Sequence, residues 1–190
     1  MDKNRQTVRD MTWIALFTAL LAVSGQFQIP IGPVPITLQP LVVMLAGSLI
    51  GAKRGVISMA VFIGLAAAGA PVMAGGTGGL AKLVGPTGGY VFSWLLAVCV
   101  IGWMVQKMAR HRQIALWQLI LAHLVGGVAV VHAIGFAWVV TYLNLPLTMG
   151  TLSASLLIFL PGDIAKAVVG AIVAQAMYRA IPALRPVSKG

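Results

Sequence analysis

Two charged side chains stand out in the apolar stretch at residues 160–181, LPGDIAKAVVGAIVAQAMYRAI: Asp163 and, three residues on, Lys166. Asp163 is the sole acidic residue beyond position 10 of a 190-residue chain. An i,i+3 pair shares one helix face. Facing lipid, each charge would cost about 2.5–3.5 kcal/mol on insertion scales. The pair therefore belongs against protein or in a polar cavity. Two readings follow. In one, a mutual ion pair pins its helix to the neighbouring helices. In the other, the carboxylate accepts and the ammonium donates hydrogen bonds to a ligand, since intramembrane ionisable residues mark substrate paths. Pro161 and Gly162 just ahead favour the second, because a helix opened there turns free N–H groups and a positive dipole end toward the same region.

A second stretch able to hold a ligand is AGAPVMAGGTGGLAKLVGPTGGY, residues 68–90, with eight glycines and two prolines. Gly75, Gly76 and Gly79 can bring backbone N–H groups close to a ligand, where side chains would block the approach. Lys82 adds a cation and Tyr90 an aromatic wall. The alternative is a plain flexible connector, but Leu80, Leu83, Val84 and Tyr90 among the glycines point to a packed lid. Lys82 is followed by Leu83 and the glycine spacing is wrong for a phosphate-binding loop, so ATP is not its ligand. A third stretch, IPIGPVPITLQP at 29–40, carries Pro30, Pro33, Pro35 and Pro40 and reads as a stiff, extended turn presenting Thr37 and Gln39.

Other candidates are weaker. Ala15 and Ala19, with Ala22 beyond, form a small-residue face that lets another helix approach closely, within this chain or from a partner. His123 and His132 lie nine residues apart on one apolar run and read as hydrogen-bonded core residues without carboxylate company; His111 falls in a basic loop. Cys99 is the single cysteine, which removes disulfide frameworks and cysteine metal sites. No nucleophilic triad, carboxylate pair or metal cluster is present, so enzyme chemistry has almost nothing to work with.

The elements that must position these residues are membrane helices. The chain is 59% hydrophobic and 8% charged, against about 25% charged in soluble domains. An integral membrane protein of a single domain, residues 1–190, accounts for this. With about 20 residues needed per span, six spans are expected, an all-α fold over 11–29, 38–50, 56–72, 88–107, 114–142 and 152–180. The second is short; the last two are long enough to tilt or break, the last at Pro161-Gly162. The start resembles a signal peptide, but the apolar run continues to Ile29 and the rest of the chain is itself apolar, so an uncleaved first helix is expected.

The net charge of +10 does not imply nucleic acid, because the basic residues lie between apolar runs. Eleven of the thirteen fall on one side of a six-span arrangement: Lys3, Arg5, Arg9, Lys53, Arg54, Lys107, Arg110, Arg112, Arg179, Arg185 and Lys189. The positive-inside rule then puts both termini in the cytoplasm. Lys82 falls in an outer loop. Measured from Arg179 at the inner interface, Lys166 lies roughly 20 Å and Asp163 roughly 24 Å away, in the outer half of the bilayer.

VPITLQ, GAPVMAGGTGGLAKLVGPTGGY and PGDIAKA, in this order and spacing, resemble the BioY family over nearly the whole chain. Its members are the biotin-specific S components of prokaryotic energy-coupling factor (ECF) transporters. The resemblance implies a six-helix protein of the cell membrane, with biotin held near the outer face and no cofactor. It also implies a membrane T component and two cytoplasmic ATPase subunits as partners. Asp163 would then accept from the ureido N–H groups. Lys166 would donate to the ureido oxygen or the carboxylate. Gly75, Gly76, Gly79 and Lys82 would serve the carboxylate, with Tyr90, Thr37 and Gln39 on the walls and Ala15 and Ala19 docking the T component. The rival reading is a self-sufficient, ion-coupled transporter of another small molecule with Asp163 as its proton site. An intramembrane enzyme or assembly factor is a third.

Overall fold

The computed structural model describes residues 3–30, 34–109 and 114–185. Pro33, Arg110, His111, Arg112 and Lys189 lie outside the described residues. The chain is mostly helical. Helix α1 (Lys3–Ser24) holds no glycine or proline and stops as Gly25 arrives. It begins eight residues before the expected span and ends five before its far limit. The polar turn ahead of the apolar run simply continues the helix, and hydropathy cannot register that.

Past α1, the proline-rich stretch cannot be helical, and it forms a small antiparallel ribbon of β1 (Gln28–Ile29) and β2 (Ile36–Thr37). Gln28 pairs with Thr37 and Ile29 with Ile36. The expectation of an all-α chain is corrected to this extent. Helix α2 (Gln39–Leu49) takes Pro40 in its first turn, where the missing N–H costs nothing. Helix α3 (Gly51–Ala67) follows after a single residue. The short α4 (Leu80–Leu83) sits inside the glycine-rich stretch, and α5 (Gly88–Met108) matches its expected span at both ends within a residue.

The two long apolar runs are both interrupted. Helix α6 (Leu116–Ala122) passes through a widened π-helical segment, His123–Val130, into α7 (Val131–Tyr142). Helix α8 (Met149–Leu152) leads through a second such segment, Ser153–Leu157, to α9 (Leu160–Ala180), and a 3-10 turn (Pro182–Leu184) follows. The break ahead of α9 falls at 158–159, two to three residues before Pro161-Gly162. Pro161 occupies the first turn of α9.

Among the described residues, four helical stretches are long and apolar enough to cross a membrane: Asn4–Ser24, Gly88–Met108, Leu116–Tyr142 and Met149–Ala180; α2 is apolar but shorter. Their outer surfaces carry Leu96, Trp103, Ile164, Val169 and Ile172, all exposed, an apolar area that water would not tolerate. Inside, Phe62, Leu21, Met44, Met59, Ile101 and Leu119 are fully buried. Association of helices in lipid rests on such close packing and on polar staples. One staple joins α2, the first wide segment and α9. His123 Nδ1–H donates to the Ala167 carbonyl at 3.0 Å, and Ser48 Oγ–H donates to His123 Nε2 at 2.7 Å. Tyr178 Oη closes it by donating to the Ser48 carbonyl at 2.6 Å. A second staple joins α1 to α3 through the Thr18 and Ser58 hydroxyls, 3.0 Å apart. His123 is thus the hydrogen-bonded core residue expected of it.

Candidate ligand-binding site

One end of the helix bundle encloses a cavity of about 210 Å³. Its walls come from the starts of α2, α5 and α9, from α7, and from the ribbon and glycine-rich loop above them. Most of the lining is apolar and aromatic, including Tyr90, Trp94, Val131 and Phe159. Into this wall the start of α9 places Asp163 and Lys166. Lys166 Nζ lies 2.7 Å from Asp163 Oδ1. The other carboxylate oxygen, Oδ2, lies 2.8 Å from His132 Nε2 on α7. Asp163 is 6% exposed and His132 5%. The carboxylate is therefore held from two sides, by a cation of its own helix and by a ring from another.

This corrects the expectation for His132, which does have carboxylate company. Nine residues along a regular helix is about 900°, so the two histidines should face opposite ways. The π-helical segment between them turns less per residue, and both end against α9. The expected ion pair and the expected cavity position of Asp163 and Lys166 both hold, so the two readings of the pair are not exclusive. The α9 start offers less than expected in one respect: the Asp163 N–H already donates to the Phe159 carbonyl at 3.0 Å.

The remaining candidates divide. Tyr90 lines the cavity; its hydroxyl donates to the Ser155 carbonyl at 3.2 Å, and its ring meets His132 edge-on at 5.8 Å between centroids. A side chain at Gly135 on α7 would strike the Tyr90 ring, so this glycine is what lets α5 and α7 close on each other there. Thr37 and Gln39 also line the cavity, but both are buried and engaged. Gln39 Nε2 donates to the Leu21 carbonyl at 3.3 Å, and the Thr37 hydroxyl accepts from the Gln39 N–H at 3.3 Å. They tie the ribbon to α1 and α2. Lys82 is exposed on α4 and borders the cavity.

Gly75, Gly76 and Gly79 are not brought to the cavity wall; Met73, Ala74 and Thr77 are. All three glycines have positive φ, between 68° and 95°, where a side chain would be strained. They shape a tight loop that docks on α1 and α3: Gly75 N–H donates to the Gly25 carbonyl at 2.9 Å and Gly79 N–H to the Ala66 carbonyl at 2.7 Å. The Gly75 and Gly79 amides anchor the loop, and the neighbouring Met73, Ala74 and Thr77 line the cavity. Ala15 and Ala19 lie apart from this site, exposed on α1 beside Leu16 and Leu20. The internal-packing reading of that face is therefore not what this structure has.

Sequence reasoning weighed His132 only as a core residue and passed over Trp94 and Phe159. The aromatic pair carries no signal that separates a cavity wall from ordinary core. Among the described residues, Trp94 Nε1 and His132 Nδ1 are buried with no hydrogen-bond partner, and no group of His, Cys, Asp and Glu residues able to hold a metal ion occurs.

A largely apolar, aromatic cavity with convergent polar groups, at one end of a bundle of membrane-type helices, marks a membrane protein with a site of the kind that holds small organic ligands. The chain belongs to the BioY family, whose model matches residues 1–183. A biotin transporter BioY of Rhizobium etli is 37% identical over 184 residues, covering 94% of this chain and 97% of its own. One from Rhodobacter capsulatus is 41% identical over 182 residues, covering 90% and 95%. A solved crystal structure, the S-component for biotin from an ECF-type ABC transporter, superposes with a TM-score of 0.86 at 36% identity, over 94% of this chain and 95% of that one.

Proposed function

We propose that this chain is a biotin-binding S component of an ECF-type transporter, a transport protein and not an enzyme. The observation that carries the reading is the Asp163 carboxylate, held by Lys166 and His132 in the wall of a mostly apolar cavity. Biotin has an apolar bicyclic body, a ureido group with two N–H donors and one carbonyl acceptor, and a carboxylate tail. A buried polar group of a ligand needs a partner. A carboxylate oxygen accepts more than one hydrogen bond, so Asp163 retains capacity for the ureido N–H groups beyond its two internal donors. Lys166 donates to the ureido carbonyl. The exposed ammonium of Lys82 stands at the cavity border, where the carboxylate tail emerges, and Tyr90, Trp94 and Phe159 cover the rings. The 36% identity to the biotin S component over nearly its whole length supports the same reading. No cofactor is needed.

The proposal includes one membrane domain of six spans, adding α2 and α3 to the four long stretches, and cytoplasmic termini. The loop charges support it: Arg54, Lys107 and Arg179 all lie at the helix ends away from the cavity. The membrane is the prokaryotic cell membrane. The ECF partners, a T component and ATPase subunits, meet the exposed face of Ala15 and Ala19, where small side chains permit close helix approach. Uptake of labelled biotin tests the whole, in cells without their own biotin uptake. Uptake should require ATP and an ECF module and persist with a protonophore when ATP is maintained. Collapse of uptake with the gradient alone would favour the ion-coupled rival.

A further inference from the structure

We infer that His132 is a positioning residue that sets the orientation of the Asp163 carboxylate for the ligand. The inference rests on the proposed ligand site. Asp163 has only Lys166 beside it on its own helix, and a lysine is a flexible donor with a rotatable ammonium. One such contact leaves the carboxylate free to turn about its terminal torsion, which is broad for aspartate. His132 removes that freedom from the other side. Its Nε2 reaches Asp163 Oδ2 at 2.8 Å from α7. Its ring is set edge-on to Tyr90 at 82° and lies 6.2 Å from the Phe159 ring. A planar donor packed in a cluster with two aromatic rings, themselves 6.5 Å apart, is far stiffer than an ammonium on four methylenes. The two donors take different oxygens, so together they fix the carboxylate plane.

The second ring nitrogen decides between direct and indirect action. His132 Nδ1 is covered and has no hydrogen-bond partner among the described residues. It is not offered to the cavity, although the ring forms part of the wall. The hydrogen on Nε2 required by the contact to Asp163 is then the one polar interaction the ring makes, and its influence on a ligand passes through Asp163. The wide segment His123–Val130 is the local device that turns residue 132 toward α9.

Substitutions that mimic one ring nitrogen at a time test this. The glutamine amide nitrogen replaces Nε2, and the asparagine amide nitrogen replaces Nδ1. Biotin affinity is measured by titration calorimetry on the purified full chain in detergent, with thermal unfolding as the folding control. His132→Leu should weaken biotin about tenfold or more, the effect of losing a hydrogen bond to a charged group. His132→Gln should return to within about threefold of wild type, and His132→Asn should remain near the leucine variant. In an Asp163→Ala background, adding His132→Leu should change affinity by less than about twofold, because a residue acting through Asp163 has nothing left to position.

Wild-type affinity in His132→Leu would overturn the inference, as would rescue by Asn and not Gln. So would a full additional loss in the Asp163→Ala background, which would make His132 a direct ligand contact or a packing residue. Each of these leaves the proposed biotin site standing if Asp163→Ala alone weakens biotin binding by about tenfold or more while leaving it measurable. No biotin binding by the folded wild type, or no loss in Asp163→Ala, overturns both. If the leucine variant does not fold, the Gln and Asn variants carry the comparison by themselves.

Discussion

Replacing Asp163 by asparagine keeps the side chain's shape and changes only its hydrogen-bonding character. The wild-type carboxylate accepts from Lys166 at Oδ1 and from His132 at Oδ2. An asparagine has one acceptor and one NH2 group, so one of these two donors must face another donor. The ligand's ureido N–H groups lose an acceptor as well. The two losses compound in the bound state: a donor left unpaired in a buried site costs about 1–3 kcal/mol, and more where charge is involved. Biotin affinity should therefore fall by about ten- to a hundredfold or more. Titration calorimetry with biotin on the purified variant reads this, with size-exclusion behaviour and thermal unfolding showing that the chain still folds. A folded Asp163→Asn variant that binds biotin within twofold of wild type would refute the reasoning. The pair would then be a structural ion pair and the ligand would sit elsewhere.

Lys166→Met should weaken biotin by about tenfold or more and also lower the unfolding temperature in detergent, because it strips the buried carboxylate of its one cation; unchanged binding and stability would show that the ammonium serves neither role. Ala15→Trp should abolish uptake in cells while the isolated protein binds biotin as wild type does, since a bulky group blocks helix approach at an exposed face; loss of binding in the isolated chain would mean that the face supports the fold. In a Cys99→Ser background, a cysteine at position 82 should react with an impermeant thiol reagent in intact cells and one at exposed position 53 should not; the reverse pattern would invert the proposed topology.

Much of the frame was legible because its determinants are local. Glycines and a long apolar run bracket α5, and the expected 88–107 differs from Gly88–Met108 by one residue. Prolines stop helix formation between α1 and α2. The pairing of Asp163 with Lys166 follows from helical spacing alone. What spacing could not yield was the partner from another helix. His132 reaches Asp163 because the chain widens over His123–Val130, and nothing in the residue types there announces the change of phase. The glycine-rich loop was read for its composition, which locates the loop but not its walls. Gly75, Gly76 and Gly79 supply the bends, and Met73 and Ala74 ahead of them and Thr77 among them reach the cavity. That Gln39 lines the cavity while its side chain is tied to the Leu21 carbonyl is set by a contact across the chain, which residue types do not announce.

On the proposed reading this chain alone forms a complete biotin site. Titrating the purified wild-type protein with biotin in detergent, with no partner subunit and no ion gradient, tests it most directly. Saturable binding is expected at one biotin per chain, abolished or weakened at least tenfold by Asp163→Asn. A folded, monodisperse wild-type protein that gives no binding at any biotin concentration reached would contradict it.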